Sequence, residues 1–224
     1  MTLPLKSIPY VYTVSVNNGA NSGGADPNKA VSGASFLNYD TYKDSACTTL
    51  WGSAAAGQLT FTQVLSGSSV NICTVNYYGC IPAGQSVAPS IYTDSVSVTV
   101  FRGAVSKASG TFPVSINTAA VCSITSIPNI ALSYAAFGVL KTASNLFGAT
   151  CNNDLAYTLA LDRTSDVAVG INYSLELSAT GGTGTGVQQN HSITATAPAG
   201  QAGTCATGTY TDSQVAPHAL TITY

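Results

Sequence analysis

The side chains of this 224-residue chain best suited to chemistry are six cysteines, Cys47, Cys73, Cys80, Cys122, Cys151 and Cys205, and two histidines, His191 and His218. Zinc ligands usually come in close pairs, roughly two to four residues apart, and this chain has no such pair. The two histidines stand far apart, without clustered carboxylates, and read as surface or loop residues. An oxidising compartment, with cysteines joined as disulfides, suits the pattern better than a metal site. Cys73 and Cys80 can close a small loop around Thr74–Gly79, or Cys47 can pair with Cys73, and spacing leaves both open. Cys205 has no evident partner. No nucleophile elbow, paired carboxylates or acid–base constellation is present, so no catalytic residue, metal ligand or cofactor is assigned and the chain does not read as an enzyme. Gly182-Thr-Gly184-Thr-Gly186 lacks the Lys-Ser/Thr of a phosphate loop and reads as a flexible turn. Asn172-Tyr-Ser and Asn190-His-Ser match the glycosylation sequon.

The elements that hold these residues are strands. Tyr10–Val16, Gln58–Val64, Ser95–Phe101, Ala156–Leu161, Ile171–Leu177 and Leu220–Tyr224 alternate apolar with small polar residues, the period of a half-buried strand. Turn-forming clusters such as Asn17–Pro27 and Gly181–Gly186 separate them. The best helix candidate, 129–147, is interrupted by glycine and has no clean apolar stripe. Many short strands at regular spacing suggest an all-β sandwich. Hydrophobic residues make up 45% of the chain and charged ones 7%, with a formal net charge of −2. That composition argues against disorder and against a nucleic-acid partner, which needs a concentrated basic surface. No apolar run reaches bilayer length, and the opening residues show no signal peptide.

The chain repeats itself. Pro82-Ala-Gly-Gln85 followed by Tyr92-Thr-Asp-Ser95 returns as Pro198-Ala-Gly-Gln201 followed by Tyr210-Thr-Asp-Ser213. Upstream, Leu37-Asn-Tyr39 answers Ile171-Asn-Tyr173, and Tyr10–Val16 answers Leu155–Leu161. A period this long means two copies of one domain rather than a solenoid. The expected division is a first domain at 1–104, a linker at 105–112 and a second domain at 113–224. The second copy has a front segment, with Cys122, Phe137-Gly138 and Cys151, that the first lacks. The first domain is therefore expected to miss its front strands, most simply because the chain is a fragment.

Several landmarks together carry a family resemblance. They are the Cys122…Phe137-Gly138…Cys151 frame, Asn38-Tyr39-x-x-Tyr42, Trp51-Gly52, the Pro-Ala-Gly-Gln turn, and the Tyr-Thr-Asp…Thr-Ile-Thr-Tyr ending. In these the chain resembles the spore coat protein U domain family of archaic chaperone–usher pilus subunits, and with two domains it is most like a tip adhesin. The resemblance implies immunoglobulin-like, pilin-type sandwiches that lack a final strand. A periplasmic chaperone, and then the N-terminal extension of a neighbouring pilus subunit, fills the gap by strand addition, with an outer-membrane usher as assembly partner. It further implies a Cys122–Cys151 disulfide, and a contact strand in the second domain with Leu220, Ile222 and Tyr224 facing the incoming segment. That domain is expected to lack its final strand, whereas Ser106–Thr125 leads the first onward. The second copy departs from the pattern in lacking Trp-Gly after Tyr173 and in inserting Gln214–His218; its fold is still the safer inference. The route implied is secretion through the periplasm to the cell surface.

Tip adhesins of this class attach through hydrophobic loops, which draws attention to Trp51, Val75, Tyr77 and Tyr78 in the first domain, for a surface or glycan ligand. Two other functions fit the same composition. One is a secreted carbohydrate-binding module that stacks sugars on Tyr and Trp; the other is a spore or cell-surface coat protein without ligand.

Overall fold

The computed structural model describes residues 9–54, 56–64, 72–204 and 217–224. Tyr210–Ser213 and Cys205 lie outside them, as does most of the expected Gln214–His218 insertion. The described residues form strands without a helix, so no helix is long and apolar enough to cross a membrane. The chain divides into two compact units, Met1–Gln85 with Ser90–Thr118, and Ser86–Pro89 with Ala119–Tyr224.

Unit 1 contains β1 (Pro9–Val16), β2 (Asn28–Ser32), β3 (Ser35–Tyr42), β4 (Leu59–Val64), β5 (Tyr78–Cys80), β6 (Ser90–Arg102) and β7 (Val105–Thr118). They run β4-β1-β6-β2-β3-β5, with β7 added to β6. Alternation puts Val14, Val16, Leu37, Tyr39, Tyr92 and Val96 in the core, and Trp51 joins them. Segment 105–112, expected as a linker, is instead the first part of β7, and the unit ends at Thr118. Its Gly, Ser and Ala residues show no alternation because they are exposed on both faces; the segment is a strand because its backbone pairs with β6.

Unit 2 contains β8 (Cys122–Ile124), β9 (Lys141–Cys151), β10 (Ala156–Leu161), β11 (Ser165–Ala168), β12 (Ile171–Leu177), β13 (Gly181–Thr183), β14 (Gln189–Ala197) and β15 (Leu220–Thr223). One sheet runs β13-β10-β15 and the other β11-β12-β14-β9-β8. Phe147, Ala149, Cys151, Tyr157, Leu159, Tyr173, Leu175, Ile193 and Ala195 form the core between them. The Gly181–Gly186 turn begins as a strand, since Gly181 and Gly182 pair with Thr158 and Tyr157 of β10. Gly181 also has no room for a side chain, because a Cβ there would meet the Tyr157 carbonyl oxygen at 2.4 Å. The helix candidate at 129–147 contains no helix, and its last residues open β9.

The repeated Pro-Ala-Gly-Gln has a shared structural purpose. Register places Asn38 of β3 opposite Pro82, two steps beyond the Asp40–Cys80 pair, and Asn172 of β12 opposite Pro198, two steps beyond Ser174–Thr196. Proline has no N–H to continue a ladder. The glutamine three residues on replaces it. The Asn38 N–H donates to Gln85 Oε1 at 2.8 Å and Gln85 Nε2 donates to the Asn38 carbonyl at 2.9 Å. In unit 2 the same bonds to Gln201 measure 2.7 and 3.0 Å. Each glutamine amide acts as one more rung of the sheet. Because β5 precedes Pro82 as β14 precedes Pro198, β5 corresponds to β14, yet β14 continues into β9 and β8 while β5 has no further strand among the described residues. Among the described residues, unit 1 shows no counterpart of β9 and β8 beside β5.

Candidate functional site

β6 of unit 1 and β15 of unit 2 occupy the same place in their units. In unit 1, Val14 and Val16 of β1 face Val100 and Val98 of β6. In unit 2, Leu159 and Leu161 of β10 face Ile222 and Leu220 of β15. The next rung beyond these pairs repeats as well. Asn17 N–H donates to the Ser97 carbonyl at 3.0 Å, and Ser97 N–H returns a bond to Asn17 Oδ1 at 2.8 Å. Asp162 and Ala219 make the same exchange at 2.9 and 3.1 Å. Val98 therefore corresponds to Leu220, Val100 to Ile222 and Val96 to His218.

What lies beyond the two strands differs. The outer edge of β6 is paired with β7 from Ser90–Thr118 to Arg102–Val105. Phe112, Val114 and Ile116 of β7 face inward, alternating with exposed Pro113, Ser115 and Asn117. The outer edge of β15 pairs with no strand among the described residues; β8 approaches it without joining its ladder. An unpaired edge is a template for another strand. Leu220 and Ile222 are half-buried against the core, and Tyr224 is 54% exposed.

The tyrosine shared by Leu37-Asn-Tyr39 and Ile171-Asn-Tyr173 also ends differently in the two units. Tyr39 donates its hydroxyl to Asp94 Oδ2 at 2.7 Å. Burial, reinforced by that carboxylate, pushes the Tyr39 phenol far above its usual range. Asp94 Oδ1 accepts from Ala20 N–H and Asn21 Nδ2, both at 2.9 Å, and so pins the 17–27 turn. Gly19 fits there because its φ is +74° and a Cβ would lie 1.9 Å from Asp94 Oδ2. The matching Tyr173 hydroxyl meets His218 Nε2 at 2.8 Å, and His218 Nδ1 lies 3.4 Å from Asp162 Oδ1. The Ala219 N–H, with smaller help from Arg163 and His218, holds the Asp162 carboxyl below the usual carboxylate range. His218 thus lies in the loop segment just before β15, as expected of a loop residue, but with its side chain only 11% exposed. His191 corrects the expectation of a surface or loop residue: it is buried, 2.9 Å from the Tyr157 hydroxyl and stacked on Phe147 at 5.5 Å, because it faces inward on β14.

The aromatic candidates separate. Trp51 is buried, 4% exposed, and its Nε1 donates to the Val14 carbonyl at 3.0 Å; it is a core residue and cannot be an adhesive one. Val75 is half-buried, while Tyr77 and Tyr78 are exposed. The Tyr77 ring packs 5.6 Å from Trp51 and 4.8 Å from Phe112. With Val98, Val100, Ala108 and Phe112 it lines an apolar groove of about 340 Å³. Sequence reading missed Phe112 here, and only a strand assignment for 105–118 would have found it. Ile72, next to Cys73, is 89% exposed.

Cys122 and Cys151 are bonded, and they face each other across β8 and β9. The first-unit bridge is Cys47–Cys80, neither of the two expected pairings, and Cys73 is free and exposed. The bridge ties the loop after β3 to the end of β5, strands already paired at Asp40–Cys80. No group of three or more His, Cys, Asp or Glu among the described residues could hold a metal ion.

Residues 9–99 match the profile of the Spore Coat Protein U domain. The match falls on the first copy, although the second had been the safer inference. It spans β1 to β5 and β6 as far as Thr99, and β7 lies beyond it. A similar solved structure is the pre-assembly complex of the chaperone CsuC with the tip adhesion subunit CsuE, from archaic chaperone–usher Csu pili of Acinetobacter baumannii. The TM-score is 0.51 at 17% sequence identity, covering 97% of this chain and 85% of that one, a likeness of fold. No curated protein matches the chain significantly.

Proposed function

We propose that this chain is a non-enzymatic subunit of a bacterial surface pilus, assembled by strand addition at unit 2 and acting through unit 1 as a tip adhesin in attachment or biofilm formation. The observation that carries it is the contrast at one strand position: β6 is covered by β7 along its length, whereas the outer edge of β15, with Leu220 and Ile222 beside it, pairs with no strand among the described residues. A chaperone strand would occupy that edge first, and a neighbouring subunit's extension would replace it, with an usher at the outer membrane and the cell surface as destination. On unit 1, exposed Tyr77, Tyr78 and Ile72 supply an apolar contact surface for the ligand. A glycan-stacking role is less favoured, because the single tryptophan is in the core.

Amide hydrogen exchange tests the acceptor edge. The β15 amides are expected to exchange much faster than those of β6 in the full chain, and an excess of an extended peptide with alternating apolar residues should slow them. If β15 is as protected as β6 without any peptide, the strand-acceptor reading is wrong. For the adhesive surface, Tyr77→Ser with Tyr78→Ser is expected to lower retention of the protein on a hydrophobic bead without changing that exchange pattern.

A further inference from the structure

Resting on the strand-acceptor reading, we propose that the strand added to β15 presents a small residue, Gly, Ala or Ser, to His218, at the place where β7 presents Phe112 to Val96. The occupant is an extended segment of a separate pilus subunit, running antiparallel to β15 as β7 runs to β6. Register fixes the position, since Val96 pairs with Phe112 while Val98 and Val100 pair with Gly110 and Ala108. Val96 is a small, fully buried side chain, which leaves room for a phenyl ring across the ladder.

Unit 2 fills that room from its own side. The imidazole is larger than an isopropyl group, and it is not free to turn away. Its Nε2 is 2.8 Å from the Tyr173 hydroxyl, its Nδ1 is 3.4 Å from Asp162, and its ring stands edge-on to Tyr173 at 5.8 Å. Only 11% of the side chain is exposed. The two changes between the units belong together: Asn17 becomes Asp162 one rung away from the place where Val96 becomes His218, so an apolar position becomes a polar cluster that holds its own ring. A large apolar donor residue there would have to displace the ring or break its bonds, and overpacked sites resist such insertion.

The test uses the full chain and two fluorescently labelled peptides, one with the sequence Val105–Thr118 and one with Phe112→Ala within it, read by anisotropy. The Phe112→Ala peptide is expected to bind about tenfold more tightly than the unsubstituted one. In the His218→Val chain the preference should reverse. Should that chain not fold, Tyr173→Phe, which releases Nε2, should narrow the preference. The inference is overturned if the unsubstituted peptide binds the native chain equally well or better. It is also overturned if the preference is the same in native and substituted chains. Binding by neither peptide would sink the strand-acceptor reading itself, and this inference with it.

Discussion

The two units share one strand position, but among the described residues the strand there is paired on both edges in unit 1 and on one edge in unit 2. β6 is 13 residues long and has β1 on one edge and β7 on the other. β15 has only 4 residues and pairs with β10 alone among the described strands. Both include or adjoin the same rung, Asn17–Ser97 or Asp162–Ala219. The difference teaches that the repeat specifies where the strand lies but not what covers it. In unit 1 the cover is a hairpin partner in cis, which pairs the whole row while Val98 and Val100 still line the groove beside Tyr77. In unit 2 the same row, His218, Leu220 and Ile222, has no covering strand among the described residues.

The sharpest way to break the comparison is to place a charge in each row. Val96 is fully buried beneath β7, so Val96→Asp would bury an unpaired carboxylate at a cost of about 4 kcal/mol or more, enough to unfold unit 1. Ile222 is only half-buried, and Ile222→Asp should cost about half as much, because water reaches the open edge. Denaturant unfolding followed by hydrogen exchange in each unit measures both. Equal losses would mean that β15 is covered as completely as β6.

Loss of a disulfide should come next. The bridges close similar spans, with sequence separations of 33 for Cys47–Cys80 and 29 for Cys122–Cys151. Loop-closure entropy assigns about 3–4 kcal/mol to each. Their consequences should still differ, because Cys122–Cys151 anchors β8, the three-residue strand beside β15. Cys122→Ser with Cys151→Ser is expected to abolish peptide addition at β15. Cys47→Ser with Cys80→Ser should lower stability by a similar amount and leave addition intact. Intact addition without the Cys122–Cys151 bridge would remove β8 from the acceptor.

Much of this organisation was legible in the sequence, and what was not has identifiable causes. Alternation marked β1, β10 and β12, because one face of each meets the core. The paired Pro-Ala-Gly-Gln and Asn-Tyr motifs were visible because they stand at equivalent places in both copies. β7 escaped notice at its start because Val105–Thr111 is held by backbone pairing, which leaves no trace in side chains exposed on both faces. The same omission hid the Phe112 wall of the groove. β13 was hidden by its glycines, which are there because Tyr157 leaves no space for a Cβ. Histidine type alone could not place His191 and His218; their inward position follows from strand register, and each finds a tyrosine hydroxyl there.

The glutamine rungs predict a smaller effect, and one that should be equal in the two units. Gln85→Ala and Gln201→Ala each remove a donor and an acceptor opposite a proline that can supply no N–H. Each should cost about 1–2 kcal/mol in its own unit. If the two losses differ by more than about 1 kcal/mol, the rungs are not equivalent and the correspondence of β5 with β14 weakens.

The smallest expected effect concerns acid, and it isolates the one rung on which the units differ in charge. The Asp162 carboxyl is held below its ordinary 3.8 chiefly by the Ala219 N–H, while its counterpart Asn17 makes the same bonds without titrating. A depressed folded-state value means that the native state binds its proton less readily than the unfolded chain does. This contribution is therefore fully present above about pH 4 and fades as the pH falls through the folded value. Asp162→Asn should remove that fading, so that the unfolding midpoint of unit 2 falls less steeply between about pH 4 and pH 2 than in the native chain. Because the carboxylate is solvent-exposed, the change should be modest. An acid limb unaltered by the substitution would show that the rung holds β15 through geometry alone, with charge contributing nothing to the difference between the units.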